Sequence, residues 1–114
     1  MGDKKSLSNN NQIINEIDGF IVNYGPENCY VGITANVTTR FRQHGLIPAD
    51  GVNPRDPRIA WLHRDAVTEQ NARDIEQFLV NRYRNRIRGN PGGGINPHNV
   101  YVYTIVPEVT NENV

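Results

Sequence analysis

Cysteine is almost absent. The single Cys29 excludes an internal disulfide framework and fits a reducing compartment. Beside Tyr30, in a run of strand-forming residues, it reads as a small buried hydrophobe. Long apolar runs are missing too. None approaches the roughly 18 residues that span a bilayer, and the polar N-terminus carries no secretory signal. A cytoplasmic protein without membrane contact is therefore expected. Net charge is zero, with 12 basic side chains against 12 acidic, which removes any general signal for polyanion binding. Lysine occurs only at Lys4 and Lys5, so every other basic side chain is arginine. Residues 40–88 hold ten Arg against six Asp or Glu, a balance of +4, while residues 1–39 and 89–114 each stand at −2. Arginine's planar fork favours bidentate pairing with carboxylate or phosphate, although most of the ten are expected on solvated faces.

At 114 residues the chain makes one domain with a modest core. Residues 1–12 are polar and Asn-rich and read as disordered; the folded domain is expected over 13–107, with a frayed acidic tail at 108–114. Ile13, Ile14 and Ile17 read as a short lead-in. Phe20 to Tyr24 reads as a strand, Gly25-Pro26-Glu27-Asn28 as a turn, and Cys29 to Ile33 as the returning strand of a hairpin. Residues 46–58 carry Pro48, Asp50-Gly51, Asn53-Pro54 and Asp56-Pro57, the chemistry of a loop. Ile59 to His63 is a third strand whose face would carry Ile59, Trp61 and His63. Thr68 caps a long helix reaching about Arg86, with Ala72, Ile75, Leu79 and Tyr83 on its buried face. Gly89 to Gly94 breaks that helix, and Val100 to Val106 forms a last strand covered on both sides. The fold class is α+β, a small three- to four-stranded mixed or antiparallel sheet flanked by helices.

The stretch from Cys29 to Gly45 is the least ordinary. It reads as a strand turning at Gly32 to Asn36 into a short helix that Gly45 closes. Val37, Arg40, Phe41 and His44 fall at i, i+3, i+4 and i+7 and share one stripe. Packing alone would not place an arginine and a histidine on an inward stripe. Glu76 poses the same question on the long helix, where it lies between Ala72 and Leu79 on the apolar face. A carboxylate facing a core is costly unless paired, protonated or bound to metal. A structural Arg40–Glu76 bridge would satisfy both.

This order of elements, with Tyr30-Val31-Gly32 on the second strand, resembles the GIY-YIG nuclease superfamily over residues 19–106. Tyr30-Val31-Gly32 stands where that family has its second motif. Arg40 falls where it keeps a helix arginine, His44 one turn on matches a histidine of some members, Glu76 matches its metal-binding glutamate and Asn90 a recurrent asparagine. The first motif departs from the pattern. Phe20 lacks a hydroxyl, and Tyr24 would serve only through a bulge that turned it inward.

The resemblance implies a divalent-metal-dependent endonuclease acting on DNA. Glu76 would hold Mg²⁺ or Mn²⁺, and Arg40 would grip the scissile phosphate, with Arg42 as a further nucleic-acid contact. Tyr30 would position or activate water, His44 would relay a proton, and Asn90 would orient the site. Neutral net charge limits affinity for ordinary duplex, so a targeting partner protein or a homodimer is expected to assist. The alternative is a nuclease-fold module that binds nucleic acid or protein without cutting.

Overall fold

A computed structural model describes residues 2–89 and 94–114, residues 2–8 as backbone alone. The element order is α1 (Gly2–Tyr24), a 3-10 turn (Pro26–Asn28), β1 (Cys29–Thr34), α2 (Val37–Gln43), β2 (Trp61–Asp65), α3 (Glu69–Arg82), β3 (Arg88–Gly89) and β4 (Asn99–Thr104). The four strands form one mixed sheet in the order β2-β4-β1-β3. β4 lies antiparallel between β1 and β2, and β3 is parallel to β1. The α+β class and a four-stranded mixed sheet are thus as the sequence suggests. Among the described residues no helix is long and apolar enough to cross a membrane.

The N-terminal third departs from expectation. The strand expected over Phe20–Tyr24 is not present: Gly2–Tyr24 is one helix, which also runs through residues 2–12 of the segment read as disordered. Its long period decides the matter. Ile13, Ile14, Ile17, Phe20 and Ile21 stand at i, i+1, i+4, i+7 and i+8 and all pack on one core cluster, a set that a helix turns to one side and an alternating strand cannot. Five residues from Phe20 to Tyr24, read alone, are too few to separate the two periods. Consequently no hairpin joins that segment to β1, and the central neighbour of β1 is β4, from the other end of the chain.

Smaller shifts follow local chemistry. β2 begins at Trp61 rather than Ile59. α3 is capped by the Thr68 side chain, as its hydroxyl chemistry predicts, but stops at Arg82. Tyr83 and Asn85 leave the helix, Asn85 at φ 67°. α2 is capped by Asn36, which accepts from the Thr39 N–H, and Gly45 at φ 76° turns the chain away after it.

The sheet has two unlike faces. On one, Cys29, Val31, Ile33, Val100 and Val102 pack against Ile13, Ile17, Ile21, Ala72, Ile75 and Leu79 of α1 and α3. Burial there pushes the Cys29 thiol up to about 12, so it is an inert apolar group. On the other face Tyr30, Tyr101 and Tyr103 join Phe41, Leu46, Ile47, Ile59 and Val106. This tyrosine-rich face carries α2.

Candidate functional site

Strand register assembles the aromatic face. Tyr30 pairs with Tyr103, and Tyr103 with Trp61; Gly32 pairs with Tyr101, and Tyr101 with His63. Paired residues point to the same side and alternate residues share a face, so Tyr30, Gly32, Tyr101, Tyr103, Trp61 and His63 line one surface. Tyr30 stacks on Tyr103 with ring centroids 5.1 Å apart. Gly32 leaves room for the Tyr101 ring: a Cβ at position 32 would stand 2.4 Å from the Tyr101 hydroxyl oxygen.

α2 delivers Arg40 and His44 to this surface. The Arg40 Nε–H donates to the Tyr101 hydroxyl oxygen at 3.2 Å, and His44 Nε2 lies 2.8 Å from the same oxygen. His44 Nδ1 lies 2.7 Å from the Asn111 carbonyl oxygen, which can only accept. The neutral ring therefore carries its proton on Nδ1, and Nε2 accepts the Tyr101 O–H. Burial first, then the nearby Arg40 charge, lowers the His44 pKa to about 4 against the pull of the Asn111 carbonyl, so the ring is neutral at physiological pH. A directional chain results: Arg40 donates to Tyr101, Tyr101 to His44, and His44 to the Asn111 carbonyl.

Tyr30 is the exception among these polar groups. It is buried, and apart from the Arg40 guanidinium that reaches toward it, its hydroxyl meets no hydrogen-bond partner among the described residues. Burial raises its pKa, and the guanidinium of Arg40 offsets part of that rise. A hydroxyl so weakly satisfied in a packed interior is costly. Tyr101 and Tyr103 are also shifted upward, chiefly by burial, so none of the three ionises near neutrality.

Glu76 lies on α3, which packs on the other face of the sheet. Its charge raises the pKa of both Tyr30 and Tyr101. Burial raises its own pKa to about 7, with Arg73 opposing. Among the described residues no hydrogen bond or ion pair to the Glu76 carboxylate is present, and the structural Arg40–Glu76 bridge does not form. No group of three or more His, Cys, Asp or Glu is gathered among the described residues. A single carboxylate with no ion pair among the described residues is the kind of donor that a hard cation keeping most of its water, as Mg²⁺ does, can use.

Tyr30, Arg40 and His44 are brought together, and Glu76 acts on the same tyrosines. The other expected site residues fare differently. Tyr24 is exposed on α1 with its ring against Phe20, so it cannot stand in for a first-motif tyrosine. Helical rather than extended backbone is the reason. Arg42 spends its guanidinium on the Pro48 and Gly51 carbonyls, pinning the 46–58 loop. His63 is exposed at the rim of the aromatic face, its ring edge-on to Phe41. Asn90 lies outside the described residues.

Sequence reasoning missed Tyr101, Tyr103 and the segment after β4. Period-two tyrosines on a strand were a visible signal, but their register opposite Gly32 and Tyr30 was not. Residues 108–114 do not fray as expected. The Asn111 N–H donates to the His44 carbonyl at 2.6 Å, Tyr103 donates to Glu112 at 2.9 Å, and the Arg40 guanidinium donates to the Val114 backbone oxygen at 2.7 Å. Beside Arg40 an open cleft of about 320 Å³ is lined by Thr34, Asn36, Thr39, Gln43 and Ile95. Compared with protein-family models, curated proteins and solved structures, the chain matches none.

Proposed function

We propose that this protein is a metal-assisted DNA endonuclease of the GIY-YIG kind, with its second tyrosine supplied by the last strand. The observation that carries the reading is the hydrogen-bonded set Arg40–Tyr101–His44 beside the buried Tyr30 hydroxyl, with the Glu76 charge felt at both tyrosines. The resemblance calls for a tyrosine on the strand paired with β1. β4 is that strand, and Tyr101 lies on it opposite Gly32. On this reading the motif order along the chain is rearranged, and the tyrosine expected before β1 is replaced by one on β4.

Hydrolysis joins a water oxygen to phosphorus and releases the leaving oxygen, so charge grows on the phosphoryl oxygens. Arg40 would bind those oxygens through its guanidinium donors, exchanging the Val114 oxygen for phosphate. With their pKa values raised, Tyr30 and Tyr101 act by orientation: the Tyr30 hydroxyl holds the attacking water, and Tyr101 holds Arg40 in place. His44 fixes the direction of the Tyr101 O–H. Glu76 would hold one Mg²⁺ or Mn²⁺, which when bound neutralises charge on the phosphate and the leaving oxygen. The donor set fits the cation through one carboxylate.

A second reading, a module that binds without cutting, is favoured by the Arg40–Val114 contact, which occupies part of the phosphate grip. A nicking assay on plasmid and branched DNA with Mg²⁺ or Mn²⁺ separates the two. Cleavage that requires metal and is lost in Glu76→Ala is expected. Intact DNA binding with no cleavage of any substrate would select the second reading.

A further inference from the structure

β3 is only two residues long, but its placement aims a charge at the site. Arg88 pairs in parallel register with Tyr30, and Gly89 with Val31. Paired residues share a face, so the Arg88 side chain leaves the sheet on the Tyr30 side. The glycine beside it gives the same answer independently. A Cβ built on Gly89 would point at Val80 of α3, 3.8 Å away, on the opposite face. Side chains alternate along a strand, which turns Arg88 toward the aromatic face. Arg88 is exposed, and among the described residues no carboxylate pairs with it. Its neighbour Arg86, by contrast, is within 3.7 Å of Glu27. Tyr30 thus has Arg88 on the adjoining strand and Arg40 reaching it from α2.

We propose that Arg88 is a second phosphate-binding arginine of this site, holding the nucleic-acid backbone next to the phosphate gripped by Arg40. This rests on the nucleic-acid reading of the site, and names the edge of the sheet along which the strand runs. An exposed guanidinium with no carboxylate partner among the described residues costs little in the free protein and is open to a polyanion. It also supplies local positive charge that the neutral chain as a whole lacks.

The test is a titration of fluorescein-labelled single-stranded and duplex oligonucleotides, read by anisotropy at several salt concentrations with metal chelated. Wild type, Arg88→Gln, Arg88→Lys and Arg64→Gln are compared. Arg64 is an equally exposed loss of one charge, but it lies on the α1 side of the sheet, paired with Glu16. Arg88→Gln should weaken binding roughly threefold to tenfold and lower the slope of log affinity against log salt by about one. Arg88→Lys should restore the slope, and Arg64→Gln should match wild type. Arg88→Gln indistinguishable from Arg64→Gln overturns the proposal even if the wild type cleaves DNA. Binding that depends on Arg88 without cleavage of any substrate keeps the proposal and removes the hydrolytic reading. A wild type that binds no DNA overturns both.

Discussion

Gly32 and Tyr101 face each other across β1 and β4 so closely that no side chain fits between them: a Cβ on residue 32 would lie 2.6 Å from the Tyr101 Cζ. The neighbour in the way is the terminal phenol, whose hydroxyl is tied to Arg40 and His44. Gly32→Ala should therefore displace the Tyr101 ring and break that chain. We expect a loss of about 1–3 kcal/mol in urea unfolding, in the range of overpacked cores, together with loss of activity. Unchanged stability would show that the ring yields freely.

Tyr101→Phe keeps the ring and removes only the hydroxyl. Arg40 Nε and His44 Nε2 would then lose a partner in a buried setting, a cost of about 1–3 kcal/mol. Nicking activity should fall roughly tenfold or more, since Arg40 is no longer held in place. Tyr24→Phe is the informative contrast. Its ring is on the surface of α1, so both stability and activity should match wild type. If Tyr24→Phe is the variant that loses activity, the assignment of the second tyrosine to β4 is wrong.

Glu76 and His44 tilt stability in opposite directions with pH. The Glu76 pKa is raised from 4.5 to about 7 by burial, so the folded state binds the extra proton. Its contribution is full below pH 4.5 and is lost as pH rises through about 7. The His44 pKa is lowered from 6.5 to about 4, so its contribution is full above pH 6.5 and is lost as pH falls through about 4. Glu76→Gln is neutral in both states. It should stabilise the protein at pH 8 by about 2 kcal/mol, after discounting for partial exposure, and change little at pH 4.5. Thermal melts across pH 4–8 read this directly. The variant's stability should still rise with pH between 4 and 6.5, as the lowered His44 pKa requires. An equal gain at both ends would mean that burial does not hold the Glu76 pKa up.

Some of this was legible along the chain. Asn36 and Thr68 cap their helices as their side-chain chemistry dictates, because a cap is decided within four residues. Arg40, His44 and Glu76 stood out because each polar group occupies an apolar stripe, a conflict visible locally. The pairing of β1 was not legible in the same way. Phe20 to Tyr24 satisfies strand propensity, and only the pattern Ile13, Ile14, Ile17, Phe20, Ile21, read over a longer window, assigns it to α1. With that segment helical, the tyrosines that lie opposite β1 are those of β4. A partner about 70 residues distant leaves no local trace. The same holds for Asn111, Glu112 and Val114, whose polar composition suggested a tail and whose contacts arise only because β4 ends beside the site.

Those tail contacts compete with any ligand of Arg40. The guanidinium has one donor on Val114 at 2.7 Å, one on Gln43 at 2.8 Å and one on Tyr101. The Val114 contact reaches farthest along the chain, and a phosphate would have to replace it. Glu112 adds a carboxylate 2.9 Å from the Tyr103 hydroxyl, and its charge is felt at Tyr30. Phosphate brought beside Tyr30 would be repelled by it. Removing residues 112–114 leaves the Asn111 contacts of His44 in place, so the chain through Tyr101 should survive. DNA affinity with metal chelated should rise roughly threefold to tenfold, the scale of one hydrogen bond and one screened repulsion. Glu112→Gln, which keeps a partner for Tyr103 and removes only the charge, should give a smaller rise that fades at high salt. Affinity that falls in both variants would instead make the segment part of the binding surface, with Val114 and Glu112 holding the site open rather than filling it.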